Sequence, residues 1–383
     1  MRNDRPTVGI VLDAWGFPYN GTVVSTRRFV GEMKDNFNFR VLATPGDAEN
    51  IPGVDLEDFR QLSIPPFNGL INAMRVPLSA PDRAAAREAL AGVDVLHVEF
   101  PFFLGFSAIS AARELGIPVV SSFHVQPENI LRNIRLNVPY LDRLIYRLFI
   151  AAIYARSDLV IAPSAFARDL LLEQGLRRPV EVISNGVMPQ FLELRHVPPS
   201  EGPLNLLSVG RLAREKQHAV LIDAVTKSRH RERIRLTIAG AGPLESDLRE
   251  RIRERGINGT VGPVTNEELL DLYRSADLFV HTGEIELEGM SVTEAMASGN
   301  MVLVSDSPAS AAREFVTQEN ATFRCGNADH LASLLDHWFA RPADCLREGE
   351  ANRSRVSNLS HAASVEQMSA LYRRLARPSG TAG

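Results

Sequence analysis

A chain of 383 residues, 45% hydrophobic and 23% charged, has the make-up of a globular protein long enough for two domains with separate cores. Its formal net charge is −4, and both signs are spread along the chain, so the basic run that nucleic-acid binding requires is missing. Cys325 and Cys345 stand in no CxxC or Cys/His cluster, which argues against a disulfide framework and a structural zinc site.

The N-terminal MRNDRPTVGIVLDAW lacks the apolar core and small-residue cleavage site of a signal peptide. No apolar stretch reaches the ~18–20 residues that a bilayer span needs, so the expected compartment is the cytoplasm. Thr7–Trp15, Phe39–Thr44, Val93–Glu99, Pro118–His124, Leu159–Ser164 and Val180–Ser184 then read as short β-branched or Leu-rich strands bounded by Gly, Pro, Asp or Asn. Helical patterns such as Pro81–Ala91 and Ala165–Gln174 lie between them. Continuous apolar strands alternating with helices predict an α/β fold with a parallel sheet covered on both faces. His196-Val-Pro-Pro-Ser-Glu-Gly-Pro203 has the composition of a linker. Beyond it the scheme repeats, with strands at Leu204–Gly210, Ile234–Gly240, Leu278–Thr282 and Met301–Ser305. Helices are expected at His218–Lys227, Pro243–Arg255, Asn266–Ser275 and Ser291–Ser298, and a last one at Ser360–Arg374. The expected division is therefore two doubly wound, Rossmann-like domains, 1–195 and 196–359, facing a central cleft at the carboxyl ends of their strands. Residues 360–383 would pack back on the first domain and end in a flexible tail.

Glu284-Ile-Glu286-Leu-Glu288-Gly289-Met290-Ser291-Val-Thr-Glu294-Ala-Met-Ala-Ser-Gly299 is the richest segment, with four carboxylates around a strand–loop–helix turn. Glu294 falls in or near the first helical turn, where a carboxylate also serves as a simple helix-end charge. Carboxylates in such a loop can accept hydrogen bonds from sugar hydroxyls, and Gly289 lets backbone amides approach a ligand. In Ser208-Val-Gly210-Arg211-Leu-Ala-Arg-Glu-Lys216, two cations five residues apart at a strand end can both reach one pyrophosphate. Either could equally be solvated surface charge, and Arg214 and Glu215 are expected to face solvent. Gly240-Ala-Gly242-Pro opens a helix after a strand, which suits a nucleotide or an ordinary turn.

Glu286, seven intervening residues, then Glu294 followed by Ala-Met-Ala-x-Gly resembles the signature of the family-four retaining glycosyltransferases with the GT-B fold. The resemblance covers most of the chain, and its specific motifs lie in the C-terminal half. It implies that Glu286 contacts the donor hexose, that Glu294 holds the ribose hydroxyls, and that amides near Gly289, Met290 and Ser291 cradle the sugar. Arg211 and Lys216, beside Gly210, would neutralise the leaving diphosphate, and Gly242 would belong to the family's glycine turn. Asp13 to Val24 resembles the glycine loop beneath the donor phosphates and near the acceptor, which points to Asp13, Asn20, Gly21 and Thr22; Asn20-Gly21 stands where two glycines are usual. His124 would sit near the reacting centre, whereas His97 reads as structural. The donor is expected to be a UDP-linked hexose, with no cofactor and no metal ion, since no Asp-x-Asp appears and the two cations supply the charge. Three departures stand out: His281-Thr282 for Pro-Ser, Asn300-Met301 for x-Pro, and Glu288-Gly289 for Phe-Gly. The first two are expected not to touch the motif carboxylates.

Glu128–Arg156 interleaves Arg132, Arg135, Arg143, Arg147 and Arg156 with Tyr140, Tyr146, Phe149 and Tyr154. That pattern suits either a helix with a solvated face or the surface of an anionic membrane. Members of the resembled family that glycosylate lipids use such a region, so the resemblance implies a lipid or glycolipid acceptor at the inner membrane face. The rival functions are a nucleotide-sugar epimerase or hydrolase on the same fold and a non-catalytic sugar-binding protein. Nothing in the sequence sets the oligomeric state.

Overall fold

The computed structural model describes every residue except 1–4, 18–20, 64, 66, 67, 69–76, 134, 135, 137, 139, 198–201 and 377–383. The chain forms two units, one of residues 1–183 with 364–383 and the other of residues 184–363. The second unit thus begins at Ser184 rather than at residue 196.

In the first unit the apolar runs become strands β1 (Thr7–Val11), β2 (Asn38–Ala43), β3 (Val54–Asp58), β4 (Val95–Val98), β5 (Val119–Ser122), β6 (Leu159–Ala162) and β7 (Val180–Val182). They pair in parallel in the order β3-β2-β1-β4-β5-β6-β7, with Val8 opposite both Phe39 and Val95. Every residue of β4, β5 and β6 is buried, as expected for strands covered on both faces. Val8, Ile10, Phe37, Phe39, Val120 and Ile161 form the core together with Met368, Leu371 and Tyr372 from the helix His361–Ala376. That helix belongs to the first unit from Ser364 onward. The expected flexible tail lies outside the described residues.

The second unit holds β8 (Leu204–Val209), β9 (Ile234–Ala239), β10 (Gly259–Gly262), β11 (Leu278–His281), β12 (Val302–Ser305) and β13 (Thr322–Phe323). They also pair in parallel, in the order β10-β9-β8-β11-β12-β13. Helices Ala328–Phe339 and Pro342–Arg355 were not expected; the first is capped by Asn327, whose side chain accepts the His330 amide at 2.9 Å. Both sheets reverse strand order once, between β1 and β4 and between β8 and β11. In doubly wound sheets ligands bind beyond the carboxyl ends of the strands at that point. Nine of the ten expected strands end before the expected residue, β1 by the most: it ends at Val11, and residues 12–17 curl back through Trp15 N to Leu12 O (3.0 Å) and Phe17 N to Ala14 O (2.8 Å).

Candidate functional site

At the switch point of the second sheet, β8 delivers Gly210 and Arg211, and a 3-10 turn at Arg214–Lys216 carries Lys216. Arg211 donates from Nε (3.2 Å) and Nη2 (2.5 Å) to Glu215 Oε1. Glu215 is buried, which corrects the expectation that it faces solvent; Arg214 is exposed. The reason is that Glu215 serves two loops at once, since its carbonyl also accepts the Glu284 amide at 2.7 Å. Lys216 Nζ donates to Glu286 Oε2, while its carbonyl accepts Thr282 Oγ at 2.6 Å. Glu286 is fixed in turn by its amide to Ala309 O (3.1 Å) and by Ala311 N to its carbonyl (2.8 Å). Burial pushes the Glu286 carboxyl up, but Lys216 and His281 outweigh it and hold it at about 2.

His281 corrects a second expectation. Its Nε2 is buried without a hydrogen-bond partner, 3.7 Å from Glu286 Oε2, so the residue that stands for a proline does face a motif carboxylate. Burial, with Lys216 close by, depresses His281 to about 4 and leaves the ring neutral. Gly289 takes a left-handed φ of 84° at the start of the helix Met290–Ala297, a conformation that favours glycine. Because the helix begins at Met290, Glu294 lies in its second turn, not its first. There it accepts the buried Tyr273 hydroxyl at 3.1 Å. Gly242 is required by close approach: a Cβ would lie 2.4 Å from Leu212 O.

Glu288 has a different task. Its Oε1 accepts Ser184 Oγ at 2.7 Å and Asn185 N at 2.6 Å, and its Oε2 accepts Asn185 Nδ2. The carboxylate that replaces the usual phenylalanine is a buried clamp on the Ser184–Gly186 turn. Arg211, Lys216, Glu286 and Glu294 are therefore placed on one loop cluster at the ends of β8 and β11, through pairings that sequence reasoning had not drawn.

In the first unit Gly21 and Thr22 open the helix Gly21–Met33, and Asn20 lies outside the described residues. Asp13, expected to contact the acceptor, is instead fully buried at the end of β1, where Oδ1 accepts the Ser79 amide at 2.7 Å. Burial raises its carboxyl to about 6 against the Ser79 hydrogen bond. His124 follows β5, with Nε2 3.1 Å from Oε2 of Glu99, a buried carboxylate at the end of β4 that sequence reasoning did not select. His97 is buried with both ring nitrogens occupied, by Tyr372 Oη at 2.6 Å and Ser122 Oγ at 2.7 Å.

The Glu128–Arg156 stretch is two helices, Pro127–Asn133 and Leu141–Ala152, with a 3-10 turn at Tyr154–Arg156. Tyr146 and Tyr154 are core residues, and Tyr146 donates to Glu128 Oε2 at 2.9 Å. Tyr140, Leu144 and Leu148 are 71%, 51% and 57% exposed, beside exposed Arg143 and Arg147. Arg135 lies outside the described residues. Among the described residues no three His, Cys, Asp or Glu side chains could together hold a metal ion, and no helix is long and apolar enough to cross a membrane.

The family profile described as Glycosyl transferases group 1 matches residues 191–355, and that described as Glycosyltransferase Family 4 matches residues 19–191. An alpha-monoglucosyldiacylglycerol synthase of Streptococcus pneumoniae is 26% identical over 320 residues, covering 79% of this chain and 71% of that protein. A GDP-mannose-dependent alpha-mannosyltransferase of Mycobacterium tuberculosis is 27% identical over 324 residues, 81% of each chain. Two solved structures share the fold, both at TM-score 0.75. Sucrose-phosphate synthase from Thermosynechococcus elongatus is 20% identical over 97% of this chain and 99% of its own. Anabaena HepE, in complex with UDP and glucose, is 17% identical over 96% and 99%.

Proposed function

Because the chain belongs to the family-four glycosyltransferases of GT-B fold, we propose that it moves a hexose from a UDP-linked donor, with retention at the anomeric carbon, to a lipid hydroxyl. The observation that carries this reading is the Lys216–Glu286 ion pair at the second switch point, with Arg211 on the same loop. A cation poised on a carboxylate can exchange it for a diphosphate, which frees the carboxylate to accept sugar hydroxyls. Glu294 then takes the ribose hydroxyls, and the amides of Gly289, Met290 and Ser291 lie along the sugar.

The reaction breaks the bond between the anomeric carbon and the diphosphate oxygen and forms one from that carbon to the acceptor oxygen. The acceptor proton passes to the departing diphosphate on the same face. Arg211 and Lys216 stabilise the charge that develops there, so catalysis rests on positioning and electrostatics and no metal ion is needed. His124 lies on the acceptor side, with Gly21 and Thr22. A glycosidase working through Glu286 and Glu294 would leave the Arg211 and Lys216 cations without a task, whereas a nucleotide-sugar epimerase or a binding protein would hold the same diphosphate and is told from a transferase by the absence of an acceptor product.

Two observations favour a lipid acceptor. The exposed Tyr140, Leu144 and Leu148, flanked by Arg143 and Arg147, suit the headgroup region of an anionic bilayer. The pneumococcal relative, named as a glucosyldiacylglycerol synthase, is of the same chemical class. GDP-mannose is the second donor to test, because several relatives are named for it. The experiment offers radiolabelled UDP-glucose and GDP-mannose with dioleoylglycerol in phosphatidylglycerol vesicles, and follows label into the organic phase. Label from UDP-glucose that requires the diacylglycerol supports the reading. Label only in water-soluble product would overturn the lipid acceptor, and label only from GDP-mannose would overturn the donor.

A further inference from the structure

We propose that Gln217 and Glu284 form a latch that fixes the main chain of Lys216, which makes Gln217 a positioning residue for that cation. This rests on the reading that Lys216 meets the donor diphosphate.

Gln217 joins the 3-10 turn Arg214–Lys216 to the helix His218–Lys227. Its amide closes the turn on Arg214 O at 3.2 Å, and its carbonyl accepts the Val220 amide at 2.9 Å to start the helix. To serve both it takes a left-handed backbone, with φ 48° and ψ 33°. A residue with a Cβ resists that conformation, and among the described residues only Tyr140 and Asn320 are other non-glycines with positive φ. Such strain persists where the surroundings over-determine it. At Gln217 the side chain supplies the hold: Nε2 donates to Glu284 Oε2 at 2.8 Å, and Oε1 accepts the Cys325 thiol at 3.8 Å.

Of the four carboxylates in its segment, Glu284 is the one to which neither the donor nor the Ser184–Gly186 turn gives a task. Its own main chain is tied on both sides, by its amide to Glu215 O at 2.7 Å and by Ser307 Oγ to its carbonyl at 2.5 Å. Glu215 and Gln217, the residues before and after Lys216, are thus both bonded to Glu284. Lys216 itself donates its amide to Ala213 O at 3.1 Å and accepts Thr282 Oγ at 2.6 Å. The freedom left to it is its side chain, whose stem passes over Gly210, where a Cβ would meet Lys216 Cε at 3.9 Å. Exchanging Glu286 for a diphosphate then needs one side chain to turn about a fixed root, with no rebuilding of the loop. A lysine ammonium is a point charge on a flexible stem, so a fixed root gives it a defined target.

Variants of the full chain test the latch by calorimetry with UDP and with GDP, and by UDP release from UDP-glucose with dioleoylglycerol vesicles. Gln217→Gly removes the latch and relieves the backbone strain. It is expected to weaken nucleoside diphosphate binding and lower kcat by about 5–20-fold each, with Tm within about 3 °C of wild type or above it. Gln217→Ala loses the latch and keeps the strain, so the same functional loss should come with a lower Tm. Glu284→Gln, which keeps an acceptor oxygen at the same reach, should lose less than about threefold. A purely structural role predicts that function follows Tm, so that Gln217→Gly keeps wild-type affinity and kcat; that result overturns the proposal. In a Lys216→Ala background Gln217→Gly should cost nothing further, because it acts through Lys216. An undiminished cost there also overturns it. Wild-type UDP and GDP affinity in Lys216→Ala overturns the underlying reading and the latch with it, whereas a loss in Lys216→Ala with none in Gln217→Gly overturns the latch alone.

Discussion

Replacing Glu288 with alanine separates a structural carboxylate from the neighbouring ones proposed to bind the donor. Glu288 is 7% exposed and accepts three hydrogen bonds, from Ser184 Oγ, Asn185 N and Asn185 Nδ2. Hydrogen bonds to a charged group contribute about 1.5–3 kcal/mol each, and a buried donor left without its acceptor adds a desolvation cost. The three bonds share one carboxylate and are not additive, and water can reach part of the turn, so a loss of about 3–5 kcal/mol is expected. For a unit of this size each kcal/mol moves the midpoint by about 2–4 °C, so Tm should fall by about 6–20 °C. Thermal unfolding of the full chain measures the shift, and hydrogen exchange at Asn185 and Gly186 locates it. Affinity for UDP should stay within about threefold at a temperature where the variant is folded. An unchanged Tm combined with lost nucleotide-sugar affinity would refute the clamp and restore Glu288 to the donor site.

Asp13→Asn keeps the acceptor for the Ser79 amide and removes a buried charge. Because the folded pKa of about 6 lies above the ordinary value of 3.8, the stability Asp13 contributes is present below pH 3.8 and lost as pH rises through about 6. The variant should therefore be at least as stable as wild type at pH 7.5, and a Tm several degrees lower there would contradict the assignment. His281 and His218 are depressed by burial to about 4 and about 3 from 6.5, so the unfolded chain binds their protons first on acidification. Stability should fall as pH drops from 6.5 towards 4, by about 3 kcal/mol for His281 alone. Urea denaturation at pH 7.5, 6 and 5 checks this, and equal or rising stability at pH 5 would sink it. Leu144→Glu with Leu148→Glu should reduce sedimentation with phosphatidylglycerol vesicles at least tenfold and leave UDP affinity unchanged; undiminished sedimentation would remove the membrane face from the account.

The parts of the fold that could be read from sequence are those where burial writes a pattern. β4 (VLHV), β5 (VVSS) and β6 (LVIA) are buried throughout, and all three were expected. β3 (VDLED), β10 (GTVG) and the two-residue β13 sit at sheet edges, where one face meets solvent and the apolar run disappears. The helix Ala328–Phe339 had a readable signal, an Asn327 cap before Leu331, Leu334, Leu335 and Trp338 at helical spacing. At the site, the resemblance of the Glu286–Gly299 segment and of the Gly210–Lys216 turn to the family's motifs marked Glu286, Glu294, Arg211 and Lys216 as candidates. Their pairings depend on β8 and β11 being neighbours, which no local pattern encodes. Glu288 and Glu294 lie on one strand–loop–helix segment, yet one clamps a turn and the other meets Tyr273. Only the three-dimensional environment separates them. Glu99 could have been found by asking which residue follows the strand beside β5.

Retaining transfer through the Lys216–Glu286 site is tested most directly by following UDP-glucose, UDP and glycosylated dioleoylglycerol together by 1H NMR, for wild type, Lys216→Ala and Glu294→Ala. The account predicts UDP release that requires the diacylglycerol, an α-configured product from the α-configured donor, and loss of both signals in each variant. A β-configured product, UDP release indifferent to the acceptor, or full activity in Lys216→Ala would contradict it.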